Sequence, residues 1–80
     1  MKKFDEKLGY VLKKERKAKK IYQPEVARKM HVSKMAVSNW ENGKRSMTAE
    51  NLKAYCDILG VPVQCVLDQT DEDEYAGIQG

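Results

Sequence analysis

Two short helical segments, separated by only three or four residues, constrain the fold of this chain most. The first begins around Pro24, because the opening turn of a helix tolerates a residue that lacks an N–H donor. The second begins after Ser33, a favourable N-cap, and ends before Gly43, which suits the left-handed position that follows many helices. We therefore expect helices at about 23–30 and 34–42, close enough to form a helix-turn-helix.

The other apolar positions also follow helical spacing, and no segment has the alternation that is typical of a strand. A first helix is indicated by the apolar residues Phe4, Leu8, Val11 and Leu12. A fourth helix is expected between the Thr48 cap and Gly60, and a short fifth helix at 63–67. The chain is therefore expected to be an all-α domain of five helices over 1–68, followed by an acidic, flexible tail over 69–80.

The net charge of +3 conceals a division along the chain. All 15 Lys and Arg and 7 of the 12 acids lie in residues 1–67, whereas the other 5 acids lie in residues 68–80. A basic body with an acidic end indicates interaction with charged partners rather than a particular fold. The densest basic stretch, residues 13–20, is either a solvent-exposed helix face or an anion-binding surface.

The sequence offers no support for catalysis, cofactor binding or membrane insertion. It contains no set of nucleophile, base and orienting group, and no Gly-rich phosphate loop. The single histidine, His31, lacks Cys or acidic neighbours at ligand spacing, so no metal or other cofactor is expected. Cys56 and Cys65 lie in apolar patterns and are expected to be buried thiols. No apolar run approaches the roughly 20 residues of a membrane span, so a cytoplasmic protein is expected. Because no catalytic set is present, no enzymatic activity is expected either.

Segment 34–42, as a helix, has two chemically distinct faces. Val37 and Trp40 are three residues apart and lie on the side that we expect to face the core. The opposite face combines a cation, a thioether, a hydroxyl and two amides, from Lys34, Met35, Ser38, Asn39 and Asn42. Side chains of these kinds read base edges in the major groove of DNA, and Met is suited to thymine methyl groups.

A spaced motif extends across both segments and into the loop that follows. Its positions are Gln23, Val26, Ala27, Met30, Val32, Ser33, Val37, Ser38 and the stretch Trp40-Glu41-Asn42-Gly43-Lys44-Arg45. With Leu52, Leu59-Gly60-Val61 and Leu67, this pattern resembles the Cro-repressor-type helix-turn-helix domains, also called lambda-repressor-like or xenobiotic-response-element domains. The resemblance covers about residues 5–68. It implies that segment 23–30 crosses the DNA backbone while segment 34–41 enters the major groove as the recognition helix.

The resemblance also implies roles for individual positions. The residues that correspond to base-reading positions are Lys34, Met35, Ser38 and Asn39. Those that correspond to contacts with the DNA backbone are Gln23, Asn42, Lys44 and Arg45. Tyr22, beside Gln23, either donates to a phosphate or packs against its neighbours. Arg16 and Glu41 correspond to an internal salt bridge between the first helix and the recognition helix.

Three features depart from the family pattern. Lys20 and His31 occupy positions where Gly is common, so each must adopt a left-handed backbone or reshape its turn. Tyr22 stands where Ser or Thr usually caps the second helix, which moves the cap to Gln23 or leaves it weak. Met47, before the fourth helix, stands at a position where Pro is frequent in the family.

Two functions are compatible with these observations. The leading hypothesis is a bacterial or phage transcriptional repressor that binds a palindromic site on double-stranded DNA as a homodimer. Its expected dimer surface is about residues 61–67, because Val63, Val66 and Leu67 exceed what a small core needs. The alternative is an antitoxin-like interaction module, whose acidic tail binds a basic partner protein while DNA binding serves autoregulation. A purely solvating role for the tail is also open.

Overall fold

The computed structural model of the chain describes residues 3–71, and this range contains five α-helices. They are α1 (Lys3–Ala18), α2 (Gln23–Met30), α3 (Lys34–Glu41), α4 (Ala49–Leu59) and α5 (Val63–Thr70). No strand occurs among these residues, and the prediction of an all-α helix-turn-helix domain is confirmed. Most of the predicted acidic tail, residues 72–80, lies outside the described range.

The turn between α2 and α3 is closed by short-range backbone and capping interactions. His31 adopts the left-handed conformation at φ 58°, which is the first of the two alternatives predicted for it. Val32 N then donates to Ala27 O at 3.0 Å. Ser33 Oγ accepts a hydrogen bond from Ala36 N at 3.0 Å and so caps α3 as predicted. These contacts hold α2 and α3 in a fixed relation across three residues.

Other helix ends follow the same local rules. Lys20 is left-handed at φ 60°, and so are Gly43 and Gly60, each at φ 73°. Tyr22 occupies the N-cap of α2 without a side-chain hydrogen bond, so this cap is weak. Helix α3 ends one residue before the expected limit, and Asn42 is its C-cap.

Helix α5 is three residues longer than the sequence pattern predicted. The expected end at residue 67 is wrong, and the helix crosses the predicted domain boundary at 68. Thr70 is buried, and its Oγ1 donates to Val66 O at 2.8 Å. Gln69 Nε2 donates to Glu15 Oε2 at 3.1 Å and so attaches this end of α5 to α1. The extension was not predicted because polar contacts, rather than an apolar stripe, stabilise it.

Within the described range, one apolar core joins all five helices. Its buried members are Leu8, Val11, Leu12, Val26, Ala27, Val37, Trp40, Leu52, Tyr55, Cys56, Leu59 and Val66. Each fully buried aliphatic side chain of this kind stabilises the fold by roughly 1.5 to 3 kcal/mol relative to exposure. Trp40 lies in this core, as its spacing from Val37 predicted.

Two side chains, Val66 and Cys65, differ from their predicted positions. Val66 is fully buried in the core, so it is not available to the predicted dimer surface. Val63 and Leu67 are half-buried against the same core. Cys65 is exposed rather than buried, because it lies on the opposite side of α5 from the core. Phe4, at the start of α1, is about half exposed because the helix begins beyond the edge of the core.

Candidate nucleic-acid interface

The outward face of α3 brings the predicted base-reading residues together. Met35 is 71% exposed although it is a large apolar residue, and Lys34 beside it is exposed as well. Ser38 and Asn39, one turn further on, are half-buried. A concave surface of about 450 Å³ is lined by Gln23, Lys34, Met35, Ser38, Asn39 and Lys44. The surface therefore unites all four predicted base-reading residues with two of the predicted backbone contacts.

The end of α3 is held against α1 by a very close helix approach. A Cβ atom added to Gly9 would lie 2.5 Å from the carbonyl oxygen of Glu41 and closer still to that of Trp40. The end of α3 therefore rests on a position of α1 that only glycine fits. A Cβ added to Gly43, just after α3, would lie 2.8 Å from the Cα of Glu6 on α1.

A buried polar network lies beneath the outward face of α3 and joins it to three other elements. Arg16 Nε donates to Glu41 Oε2 at 2.7 Å, and Arg16 Nη2 donates to Oε1 at 3.1 Å. Gln23 Nε2 also donates to Glu41 Oε1, at 2.9 Å, and Tyr55 Oη donates to Oε2. Arg16 Nη1 donates to Ile21 O at 2.8 Å. The salt bridge that the resemblance implied is present in the structure, and Gln23 and Tyr55 extend it.

This network keeps Glu41 charged inside the protein. Burial raises the pKa of the carboxyl, but hydrogen bonds from Arg16, Tyr55 and Gln23 outweigh it and hold the pKa below its ordinary value of 4.5. The hydrogen bond to Glu41 raises the pKa of Arg16 against the opposing effect of burial. Burial, followed by the contact with Glu41, raises the pKa of Tyr55, so its hydroxyl remains a donor. No buried side-chain nitrogen or oxygen in the described part of the chain lacks a hydrogen-bond partner.

The loop after α3 carries two exposed cations, Lys44 and Arg45. The left-handed Gly43 turns the chain, and Lys44 N donates to Asn39 O at 2.9 Å. Ser46 Oγ donates to Asp5 Oδ2 at 2.7 Å and attaches the far end of this loop to α1. Both cations are thus presented on a loop with anchored ends, and Lys44 lines the concave surface beside the outward face of α3.

Asn42 lies at the edge of this surface rather than in its centre. It is exposed, and its Nδ2 donates to Ser38 Oγ at 3.3 Å. It also lines a separate depression together with Lys13 and Tyr10 of α1. The predicted backbone contacts therefore flank the α3 face on two sides.

A second cavity, of about 510 Å³, opens beside the start of α2. It is lined by Arg16, Lys17, Lys20, Ile21, Tyr22, Gln23, Pro24 and Lys34. Tyr22 is 76% exposed, and its hydroxyl has no hydrogen bond within residues 3–71, which favours the phosphate-donor alternative over packing. The cavity combines this hydroxyl with the ammonium groups of Lys17, Lys20 and Lys34, so it has the chemistry of an anion site.

Four contributions to the site were not assigned from the sequence. Lys17 was noted only as part of the basic run, and Lys20 only as part of that run and as a turn residue, although the position of Lys20 shortly before α2 could have indicated a phosphate contact. Tyr55 fits the apolar stripe of α4, so the pattern did not indicate that its hydroxyl reaches Glu41. Gln23 was expected only at the DNA backbone, yet its amide also supports the buried carboxylate.

Neither a metal-binding cluster nor a membrane-spanning helix occurs among the described residues. Within residues 3–71, no group of His, Cys, Asp and Glu side chains could hold a metal ion. None of the helices in this part of the chain is long and apolar enough to cross a membrane.

Comparisons with known proteins agree with this arrangement. A helix-turn-helix family model matches residues 12–64. Two crystal structures of the clp gene regulator ClgR from Corynebacterium glutamicum are similar to this chain, with TM-scores of 0.81 and 0.82 and 31% sequence identity in each case. Each comparison covers 84% of this chain, and they cover 87% and 71% of the respective ClgR chains. No curated protein sequence matches the chain significantly.

The family match spans α2, the turn, α3 and α4, and the buried network and outward α3 face lie inside it or directly beside it. The resemblance that the spaced motif indicated is therefore confirmed. The chain belongs to the lambda-repressor-like helix-turn-helix family, whose members are DNA-binding transcriptional regulators.

Proposed function

We propose that the protein binds double-stranded DNA sequence-specifically, with α3 in the major groove. The observation that carries this proposal is the concave surface on which Lys34, Met35, Ser38 and Asn39 meet Gln23 and Lys44. It places groups able to read base edges beside groups able to bind phosphate, and a groove-binding helix needs both. The buried network beneath α3 supports the proposal, since it holds this face in a fixed orientation.

The four side chains on the outward face would divide the reading of the bases. Asn39 can form a paired hydrogen bond with an adenine edge, and Lys34 can donate to guanine acceptors. Ser38 can donate to or accept from several bases, so it adds less discrimination. Met35 is exposed and polar side chains surround it, which suits contact with a thymine methyl group.

The residues around this face would bind the phosphates on both sides of the groove. Gln23 is suited to this role although one of its N–H groups already donates to Glu41, because a side-chain amide carries a second N–H. The start of a helix also favours an anion there. The other proposed phosphate contacts are Tyr22, Asn42, Lys44 and Arg45, joined by Lys17 and Lys20 beside the start of α2.

We further propose that the protein acts as a homodimeric repressor on a palindromic operator in the cytoplasm. One recognition helix covers only a few base pairs, so two copies on half-sites about one helical turn apart would supply the missing specificity. The proposed dimer surface is residues 61–67 without Val66, so it consists mainly of Val61, Val63 and Leu67. Repression is the proposed output because α3 in the groove excludes other proteins from the same base pairs.

Selection of bound duplexes from a random library tests the proposal, at about 0.15 M salt, where weak electrostatic binding is reduced. We expect enrichment of a palindrome whose half-sites lie roughly 10 base pairs apart, centre to centre. Enrichment of a single half-site would support base reading by α3 but refute the homodimer. Enrichment of no sequence, with binding that disappears as salt rises, would refute specific recognition.

A further inference from the structure

One side of α1 carries a basic surface whose lysines form no salt bridge with the described residues. Lys13, Lys14 and Lys17 line a groove of about 330 Å³ together with Tyr10, whose ring lies 6.0 Å from Lys14 Nζ. We refer to these three lysines as the α1 basic face. Among residues 3–71, no carboxylate forms a salt bridge with any of them.

The end of α5 is attached to the same helix, α1. Gln69 is bonded to Glu15 of α1, and Thr70 is buried with its hydroxyl on Val66 O. Asp71, the next residue, is exposed and is the C-cap of α5. The chain therefore leaves the folded domain near Glu15, which is next to Lys14 in sequence but about 100° from it around the axis of α1.

The residues that follow this exit point are strongly acidic. Positions 71–74 read Asp-Glu-Asp-Glu, and no Lys or Arg occurs after residue 53. Four extended residues span up to about 13 Å, and a helix with its side chains is roughly 10 to 12 Å wide. The acids are thus within reach of the α1 basic face without any rearrangement of the domain. We propose that segment 71–74 docks on the α1 basic face of its own chain and competes there with DNA phosphate.

The competition follows from the position of Lys17. This residue lines both the α1 groove and the cavity beside the start of α2, where Tyr22 and Lys20 also lie. A carboxylate that binds Lys17 removes a cation from the proposed phosphate site. The competitive part of the proposal rests on the proposed function, whereas docking of the segment does not. The segment would thereby weaken electrostatic binding to any DNA and leave base reading by α3 unchanged.

Docking is tested first without DNA, by amide NMR of the full chain at low salt. The test variant is Asp73→Asn/Glu74→Gln, and its matched control is Glu50→Gln/Asp57→Asn, which neutralises two exposed acids of α4 by the same changes. We expect the test variant to shift the amides of residues 13–20, and the control to leave them in place. About 0.5 M salt should remove the difference, because it screens the ion pairs.

The DNA test measures the affinity of wild type, the test variant and the control variant for one double-stranded DNA at several salt concentrations. If the segment occupies Lys17, the lysine that the α1 groove shares with the proposed phosphate site, the salt slope of the test variant is steeper than that of wild type by about 1 unit. The higher DNA affinity of the test variant relative to wild type then shrinks about threefold to fourfold between 50 and 200 mM salt. The control variant should match the slope of wild type.

Each result has one consequence. Unchanged amides at residues 13–20 in the test variant would overturn docking, even if its DNA affinity rises through simple loss of repulsion. Shifts that grow with protein concentration would overturn docking within one chain in favour of a second copy. Shifts in α1 with an unchanged salt slope would overturn the competition. If none of the three proteins binds DNA, the proposed function fails, and the NMR comparison still decides whether the segment docks.

Discussion

Replacement of Arg16 by Met should strongly destabilise the fold, because it removes one partner of a buried ion pair. The substitution keeps much of the side-chain volume but removes both donors to Glu41 and the donor to Ile21 O. The Glu41 side chain is 0% exposed, so its charge would remain buried with only the Gln23 and Tyr55 donors. Loss of one partner from a buried ion pair costs about 3 to 5 kcal/mol. An 80-residue domain has about 4 to 12 kcal/mol of total stability.

The cost of Arg16→Met should also depend on pH, because Glu41 titrates. In the wild type the pKa of Glu41 is lowered, so its contribution to the free energy of unfolding is present above the unfolded value and is lost as pH falls through the folded value. In Arg16→Met, burial dominates and should raise the pKa of Glu41 above 4.5. The variant should therefore be most destabilised near pH 7. The difference from wild type should shrink as acid neutralises the stranded carboxylate.

Urea unfolding at pH 7 and at pH 4.5, followed by Trp40 fluorescence, measures both effects. The control is the double variant Arg16→Met/Glu41→Gln, which removes the stranded charge and should recover part of the loss at pH 7. A cost below about 1 kcal/mol for Arg16→Met, typical of an exposed ion pair, would refute the inference that the pair is a buried structural link. A cost that is the same at both pH values would refute the assignment of the effect to Glu41.

Three further predictions concern stability and reactivity. Gly9→Ala should lower the free energy of unfolding in urea by about 1 to 3 kcal/mol despite the higher helix propensity of Ala, because the new methyl group meets the carbonyl oxygens at the end of α3. A gain in stability would show that α1 lies further from the end of α3. Tyr55→Phe should cost about 1.5 to 3 kcal/mol, since it removes a hydrogen bond to the charged Glu41, and an unchanged urea midpoint would contradict that bond. A thiol reagent at pH 8 should modify the exposed Cys65 quickly and the buried Cys56 only on unfolding. Burial, with a smaller effect from Asp57, raises the pKa of Cys56 to about 11. Equal rates of modification would contradict the burial of Cys56.

Features governed by a few neighbouring residues were predictable from the sequence. The Ser33 and Thr48 caps and the left-handed Gly60 lie where the local pattern placed them. The boundaries of α2 match the expected 23–30, and α3 differs by a single residue. In each case one side chain or one backbone conformation determines where the helix ends, so the information is local.

Features that depend on contact between distant residues were not predictable in the same way. The last turn of α5 is stabilised by a bond from Gln69 to Glu15, 54 positions away, and nothing near Gln69 indicates this partner. The exposed Cys65 and the buried Val66 are adjacent in an apolar stretch, so only the packing of α5 decides which one faces inward. Gly9 has the same limitation, because its close contact is with the backbone of another helix.

The candidate site combines both kinds of information. The outward set on α3 follows from helical periodicity, and the roles of Lys34 and Asn39 follow from the family resemblance. Beneath that face, Gln23 and Tyr55 donate to the Glu41 of the Arg16–Glu41 pair. These contacts join four separate helices, so the local sequence did not indicate them.

Whether the outward face of α3 reads bases can be decided from the base preference of Asn39→Ala. Its affinity for a selected operator and for all single-base-pair variants of that operator should be measured beside wild type, Arg45→Ala and the matched control Asn51→Ala. We predict that Asn39→Ala loses roughly 1 to 3 kcal/mol of preference at particular base pairs. Arg45→Ala should instead weaken binding to every site and reduce the salt slope by about one unit, while Asn51→Ala changes neither. If Asn39→Ala keeps every base preference of the wild type, the recognition face does not lie on the outward side of α3 around Asn39.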